Sequence, residues 1–313
     1  MADTNEPNWE RQAIERLARE ALDEQRRSRR WKIIRFFVLL AVFLVVFLAQ
    51  PQNWGGGKPS ASRYTALVEL DGVIATDTLA SADNIVAGLR TAFESKSTAG
   101  VILRANSPGG SPVQSRYVYD EIKRLREKYP DKPLYAVVGD VCASGCYYIV
   151  AAADKIYANP SSLVGSIGVI MSTFGLTEAA KKLGVERRLF TAGENKGFLD
   201  PFSPVRPEER RHVQQMLERI HKQFIQAVRD GRGQALKENK DTFSGLFWTG
   251  DQAKDMGLVD EFGSTSYVAR EVIKAEEIVD FSFRENVFDR FARRFGSAMG
   301  ETMSLRLLDQ KFQ

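Results

Sequence analysis

The sequence predicts an α/β domain with much parallel sheet, preceded by one N-terminal transmembrane helix, and three observations carry that expectation. After residue 63, apolar runs of strand length alternate with amphipathic runs of helix length. That rhythm is what a parallel sheet with crossover helices produces. Before residue 63, the uncharged apolar run "FFVLLAVFLVVFLA", Phe36 to Ala49, follows a cluster of positive charge.

Residues 1–32 are a charged segment, and from Arg26 to Arg35 every charge is positive: Arg26, Arg27, Arg29, Arg30, Lys32 and Arg35. The apolar run alone is shorter than the roughly 20 residues that span a bilayer. Trp31, Ile33 and Ile34 lengthen it if the arginines snorkel. A signal anchor over 33–49 is expected in preference to a cleavable signal peptide, because the charged leader is long for the latter. The arginines keep the N-terminus cytoplasmic and send the rest across. In a bacterium this predicts a single-pass inner-membrane protein with its folded part on the periplasmic side. The Gly, Pro and Ser-rich stretch 50–62 reads as a flexible linker, and the folded domain as 63–284.

Within that domain, "YTALVELDGVI", "AGVILRA" and "PLYAVVG" read as strands separated by helices over Ser81–Glu94 and Val113–Tyr129. "IYANP", "VGSIGVI" and "VERRLFTAG" add strand-like segments around a short helix, Thr177 to Leu183. A long helix is expected from Pro207 to Arg229, with Val213, Met216, Leu217, Ile220, Phe224 and Val228 at helical spacing. The extension 285–313 contains an amphipathic stretch, "FDRFARRFGSAM", and matches no motif.

The 44 basic and 40 acidic residues are interspersed, giving a formal charge of +4, so no basic block points to nucleic acid. Two cysteines give no thiol-rich metal pattern, and neither a metal nor a cofactor is expected. Cys142 and Cys146, four positions apart across a turn into a helix, are read as small buried packing residues, because that spacing suits a disulfide poorly. His212 and His221 read as surface residues of the long helix.

Two strand-to-helix loops draw attention as sites of chemistry. "RANSPGGSP", Arg104 to Pro112, has paired glycines that could aim amide groups at an anion. It is not a Walker loop, since no Gly-Lys-Ser/Thr follows. "VCASGCYY" places Ser144 where a serine could be a helix cap or an exposed nucleophile. A serine nucleophile needs a base, and both histidines lie far along the chain on a helix better explained by packing. A lysine is the alternative. Lys155, Lys181, Lys182 and Lys196 are the candidates, and Lys196 in "TAGENKGFLDPFSP" has the most functional setting.

In this order, "NSPGGS", "ASGCYYIVAAADKIYANP", "VGSIGVI", the lysine loop and "WTGDQAKDMGLVDEFG" resemble the signal peptide peptidase A family of membrane-bound serine proteases, over about Ala66 to Phe283. The resemblance implies a spiral of strand-strand-helix units like that of Clp protease and crotonase. It implies a Ser-Lys dyad with Ser144 as nucleophile and Lys196 as general base, Ser166 orienting the lysine, and Gly109 or Gly110 with Gly145 supplying oxyanion amides. Half-length members form rings in which a neighbouring protomer donates the base, so a homo-oligomer with shared sites, a membrane and peptide substrates such as signal peptide remnants are the partners implied. An inactive membrane scaffold of the same fold is the alternative, and so is an acyl-CoA hydratase type whose glutamates are not evident here. Two positions depart from the family pattern: Cys146 stands where a glycine is common, and Leu246 where an arginine is usual. Leu246 is expected to lie away from the dyad.

Overall fold

A computed structural model describes residues 29–42 and 63–284, together with Arg16 and Arg27. The chain divides into two units, Met1–Trp54 and Gly55–Gln313. In the first, residues 29–42 form one helix, α1, whose side chains are exposed, Trp31, Phe36 and Phe37 among them. Among the described residues no helix is long and apolar enough to cross a membrane. The expected anchor runs on to residue 49, and its last part lies outside the described residues, as do the linker 50–62 and the extension 285–313.

The second unit is a mixed α/β domain on an eight-stranded sheet. Strands β1 (Tyr64–Asp71), β2 (Thr98–Ser107) and β3 (Leu134–Ala143) alternate with helices α2 (Ala82–Glu94) and α3 (Pro112–Lys128). After β3 come α4 (Gly145–Val150), β4 (Lys155–Ala158), β5 (Leu163–Gly165), α5 (Thr177–Lys182) and α6 (Pro207–Arg232). The chain closes with β6 (Phe247–Thr249), α7 (Gly250–Asp255), β7 (Glu261–Phe262), α8 (Thr265–Tyr267) and β8 (Ile278–Asp280). The main path through the sheet is β6-β5-β3-β2-β1-β8, and β4 and β7 lie off it. All pairings are parallel except β5 with β6.

Alternation along the strands explains why they read as continuous apolar runs. Ala66, Val68 and Leu70 of β1, Val101 and Leu103 of β2, and Ala136 and Val138 of β3 face the large core that α2, α3, α4 and α6 cover. Leu67, Ile102 and Val137 face the opposite side, where Val268 and Ala269 pack. Both faces are buried over this stretch, so the runs stay apolar until Glu69 and Arg104, which pair where the second face opens.

β3 is forked, and this fork positions the site. Tyr135 to Val137 pair with β4, whereas Val141 to Ala143 pair with β5. The strand therefore continues past Gly139, where the sequence pattern ends. Asn106 of β2 keeps it extended, its Oδ1 accepting from the Val141 amide at 3.3 Å. The segment "VERRLFTAG", expected to be strand-like, forms no strand: 185–193 is irregular and exposed. Among the described residues no strand pairs with it, and Leu189 and Phe190 are exposed.

Candidate active site

Ser144 is the single residue between the end of β3 and the start of α4. Its backbone takes φ 53 and ψ −121, a region that costs a residue with a side chain about 1–3 kcal/mol and persists only where surroundings impose it. The surroundings are specific. The Ser144 amide donates to the Gly165 carbonyl at the end of β5 at 2.8 Å, and the Ser144 carbonyl accepts from the Tyr148 amide at 3.0 Å. Tyr147, fully buried on α4, donates its hydroxyl to the Leu258 carbonyl at 2.8 Å and so fixes the helix behind the turn. Burial pushes the Tyr147 phenol above its ordinary range, so it stays protonated as an anchor.

The helix-cap alternative for Ser144 fails: its side chain makes no capping hydrogen bond. The hydroxyl is left half-buried and without a partner, which suits a nucleophile. Gly109 lies directly against it. A Cβ on Gly109, whose φ is 99, would stand 2.7 Å from both the Ala143 carbonyl oxygen and the Gly145 nitrogen. A Cβ on Gly145 would stand 2.5 Å from Ser115 Oγ and 3.2 Å from the Gly110 nitrogen. The two loops thus meet backbone to backbone, an approach that only glycine permits. Ser107 and Ile74, unassigned by sequence reasoning, hold the glycine loop. Ser107 Oγ accepts from the Gly109 amide at 3.1 Å, and the Ile74 amide donates to the Gly109 carbonyl at 2.9 Å.

Ser166 follows Gly165, at the end of the strand that receives the Ser144 amide. Its φ is 49, and its amide donates to the Leu246 carbonyl at 2.7 Å. Leu246 thus touches Ser166 through its main chain: antiparallel pairing of β5 with β6 brings the Leu246 carbonyl onto the Ser166 amide. The contact uses main chain, so no side-chain signal could have announced it.

Lys196 is not joined to either serine within one chain. It sits in an exposed turn, its amide donating to the Gly193 carbonyl at 3.1 Å, and its side chain makes no hydrogen bond or ion pair among the described residues. Lys155, Lys181 and Lys182 are exposed as well. His212 is exposed and stands edge-on to Phe198, with ring centroids 5.6 Å apart. His221 is not a surface residue. It is half-buried, with Nε2 2.9 Å from the Ile167 carbonyl oxygen, and so ties α6 to the strand end beside Ser166.

The cysteines also depart from expectation, since Cys142 and Cys146 form a disulfide. The turn at Ser144 reverses the chain so sharply that their Cα atoms are 5.2 Å apart, inside the bonding range. Spacing alone concealed this because it does not reveal the unusual φ between them. Among the described residues, no group of three or more His, Cys, Asp or Glu side chains is placed to hold a metal.

Comparison with known proteins adds to this geometry. The model of Peptidase family S49 matches residues 126–279, a span that holds Ser144, Ser166 and Lys196. A Na(+)/H(+) antiporter NhaA of Brucella melitensis is 47% identical over 175 residues, which are 56% of this chain and 24% of that protein. The chain thus spans about a quarter of that relative's length. A protein of Synechocystis described as a protease is 33% identical over 207 residues, 66% of this chain and 72% of that protein. One of Enterococcus faecium described as a signal peptide peptidase SppA is 31% identical over 197 residues, 63% of this chain and 57% of its own length. With the elbow serine inside the matched span and a relative covered over most of its length, the chain belongs to peptidase family S49.

Proposed function

We propose that this chain is a membrane-anchored serine endopeptidase that cleaves apolar peptides, signal peptide remnants among them, through an acyl-enzyme on Ser144. The observation that carries the reading is a serine held at φ 53 with a hydroxyl unengaged among the described residues, beside two backbone amides that the described residues leave unused. Those amides belong to Gly110 and Gly145, which donate to no acceptor among the described residues. The Gly109 amide is already taken by Ser107, so Gly110 is the better partner for Gly145 in an oxyanion hole.

In this reading Ser144 Oγ attacks the substrate carbonyl carbon while its proton passes to Lys196. The developing oxyanion accepts hydrogen bonds from Gly110 and Gly145. The departing amine then takes the proton, and water releases the acyl group by the same route. Ser166 orients the lysine. The base comes from a neighbouring copy, and two features support that choice. Lys196 is exposed in the single chain, and Ile170, Phe174 and Phe190 near it in sequence are 87%, 80% and 91% exposed. Apolar surface of this kind marks an interface. A second copy laid over the segment would cover the apolar side chains and the lysine together. The forked β3 supports a Clp/crotonase-like spiral as the frame, and the arginine-rich leader supports an inner-membrane anchor with the domain in the periplasm.

The testing experiment is reaction of the full chain with a fluorophosphonate, beside Ser144→Ala, with hydrolysis of an apolar peptide followed in parallel. The expected result is one label per reactive chain, absent from Ser144→Ala along with hydrolysis. A chain that neither labels nor hydrolyses would instead be the scaffold alternative, and label retained in Ser144→Ala would place the nucleophile elsewhere.

A further inference from the structure

We propose that the Cys142–Cys146 disulfide is a positioning device for catalysis, holding Ser144 and the Gly145 amide in register with Gly110. The inference rests on the reading of Ser144 as nucleophile. The bond joins the last turn of strand to the first turn of helix, and Ser144 is the central residue of the ring it closes. Cys142 is fixed on its own side: it pairs with Val164 of β5 and, across β2, with Ser107. Cys146 is fully buried in the first turn of α4. The sulfurs therefore tie the helix start to a strand that two neighbours already hold.

The need for such a tie follows from the backbone at Ser144. A serine with positive φ relaxes toward ordinary conformations unless both flanks are restrained. Rotation there would swing α4 about the end of β3. Because Ser144 and Gly145 are adjacent, the nucleophile and one oxyanion donor would leave Gly110 together. The bond closes a ring of only five residues, too short a loop to constrain the unfolded chain much. Its main effect is thus on local geometry.

The test has three parts, all on the full chain. First, tryptic peptides alkylated without reduction should retain the Cys142–Cys146 link; both cysteines alkylated in unreduced protein would overturn the proposal. Second, Cys142→Ala/Cys146→Ala should unfold cooperatively on heating, yet its fluorophosphonate labelling rate and kcat should fall by about tenfold or more. Its KM should stay within about twofold, because substrate binding does not use the elbow. Third, reduction by a dithiol should have the same effect on wild type, which keeps the measurement open if the double variant does not fold. One thiolate of the reagent attacks a sulfur, its second thiol closes a cyclic disulfide, and two electrons and two protons remain on Cys142 and Cys146. Reoxidation should restore the rate.

A double variant or reduced chain with wild-type labelling rate and kcat, and only a lower melting temperature, would overturn the positioning role while leaving Ser144 as nucleophile. Label persisting in Ser144→Ala would overturn both.

Discussion

At Ser144 the hydroxyl makes no hydrogen bond among the described residues, so its removal should cost activity and little else. Ser144→Ala is expected to lose hydrolysis, with a melting temperature within a degree or two of wild type, read by calorimetry beside a peptide assay. Gly109→Ala has the opposite balance. Its methyl would enter the space of the Ala143 carbonyl and the Gly145 amide at a φ that disfavours it. The elbow must shift, and kcat should fall by about a hundredfold with a stability loss of about 1–3 kcal/mol. An active Gly109→Ala would show that the loop has room the backbone does not suggest. The site residues were legible to unequal degrees for one reason. Small residues at a strand-to-helix junction announce Ser144 and Gly145, and paired glycines announce Gly109 and Gly110. The disulfide and the Leu246 carbonyl depend on a dihedral angle and on main-chain pairing, which residue identity does not encode.

Among the elements, helices α2 and α3 are clamped by one acid. Glu121, nearly buried on α3, accepts from Arg90 of α2 at 2.6 Å and from Arg124 one turn along its own helix at 2.6 Å. The Arg124 hydrogen bond first, then that from Arg90, hold its carboxyl down to about 2 from an ordinary 4.5, against the opposing pull of burial. Because the folded value is depressed, the contribution is fully present above about pH 4.5 and is lost as pH falls from there toward 2. The arginines are half-exposed, so solvent screening discounts that contribution. Glu121→Gln should therefore be less stable than wild type near neutral pH, and the two should converge toward pH 2 in denaturant titrations. A difference that does not narrow on acidification would remove Glu121 from the clamp. Periodicity announced these helices well, because one side of α2 and of α3 is covered by the sheet's core; of α6 only Phe224, Ala227 and Val228 enter that core, and Met216 of its expected stripe is exposed. Periodicity misjudged 185–193, since alternation marks a strand only when a partner strand is at hand, and the described residues supply none.

Over the whole molecule, the uncovered segment and the solitary Lys196 belong to the same proposal. If neighbouring copies share each site, Ser144→Ala and Lys196→Ala chains are each inactive alone. Mixed assemblies then contain junctions with an intact serine and lysine, and co-expression should restore part of the hydrolysis. Co-assembled mutants that stay inactive would place the base within one chain or elsewhere. A consequence of a different kind follows from β8. This short strand lies parallel along the outer edge of β1, Thr65 opposite Ile278, and just beyond it the Phe281 amide donates to the Leu67 carbonyl at 2.8 Å. β1 leads into Ile74, which clamps the Gly109–Gly110 loop. On the ribosome, the first strand to emerge thus waits with one edge bare until nearly the whole domain has been translated. A chain stalled before Ile278 would offer that edge to other chains while the Gly109–Gly110 loop lacked its outer support.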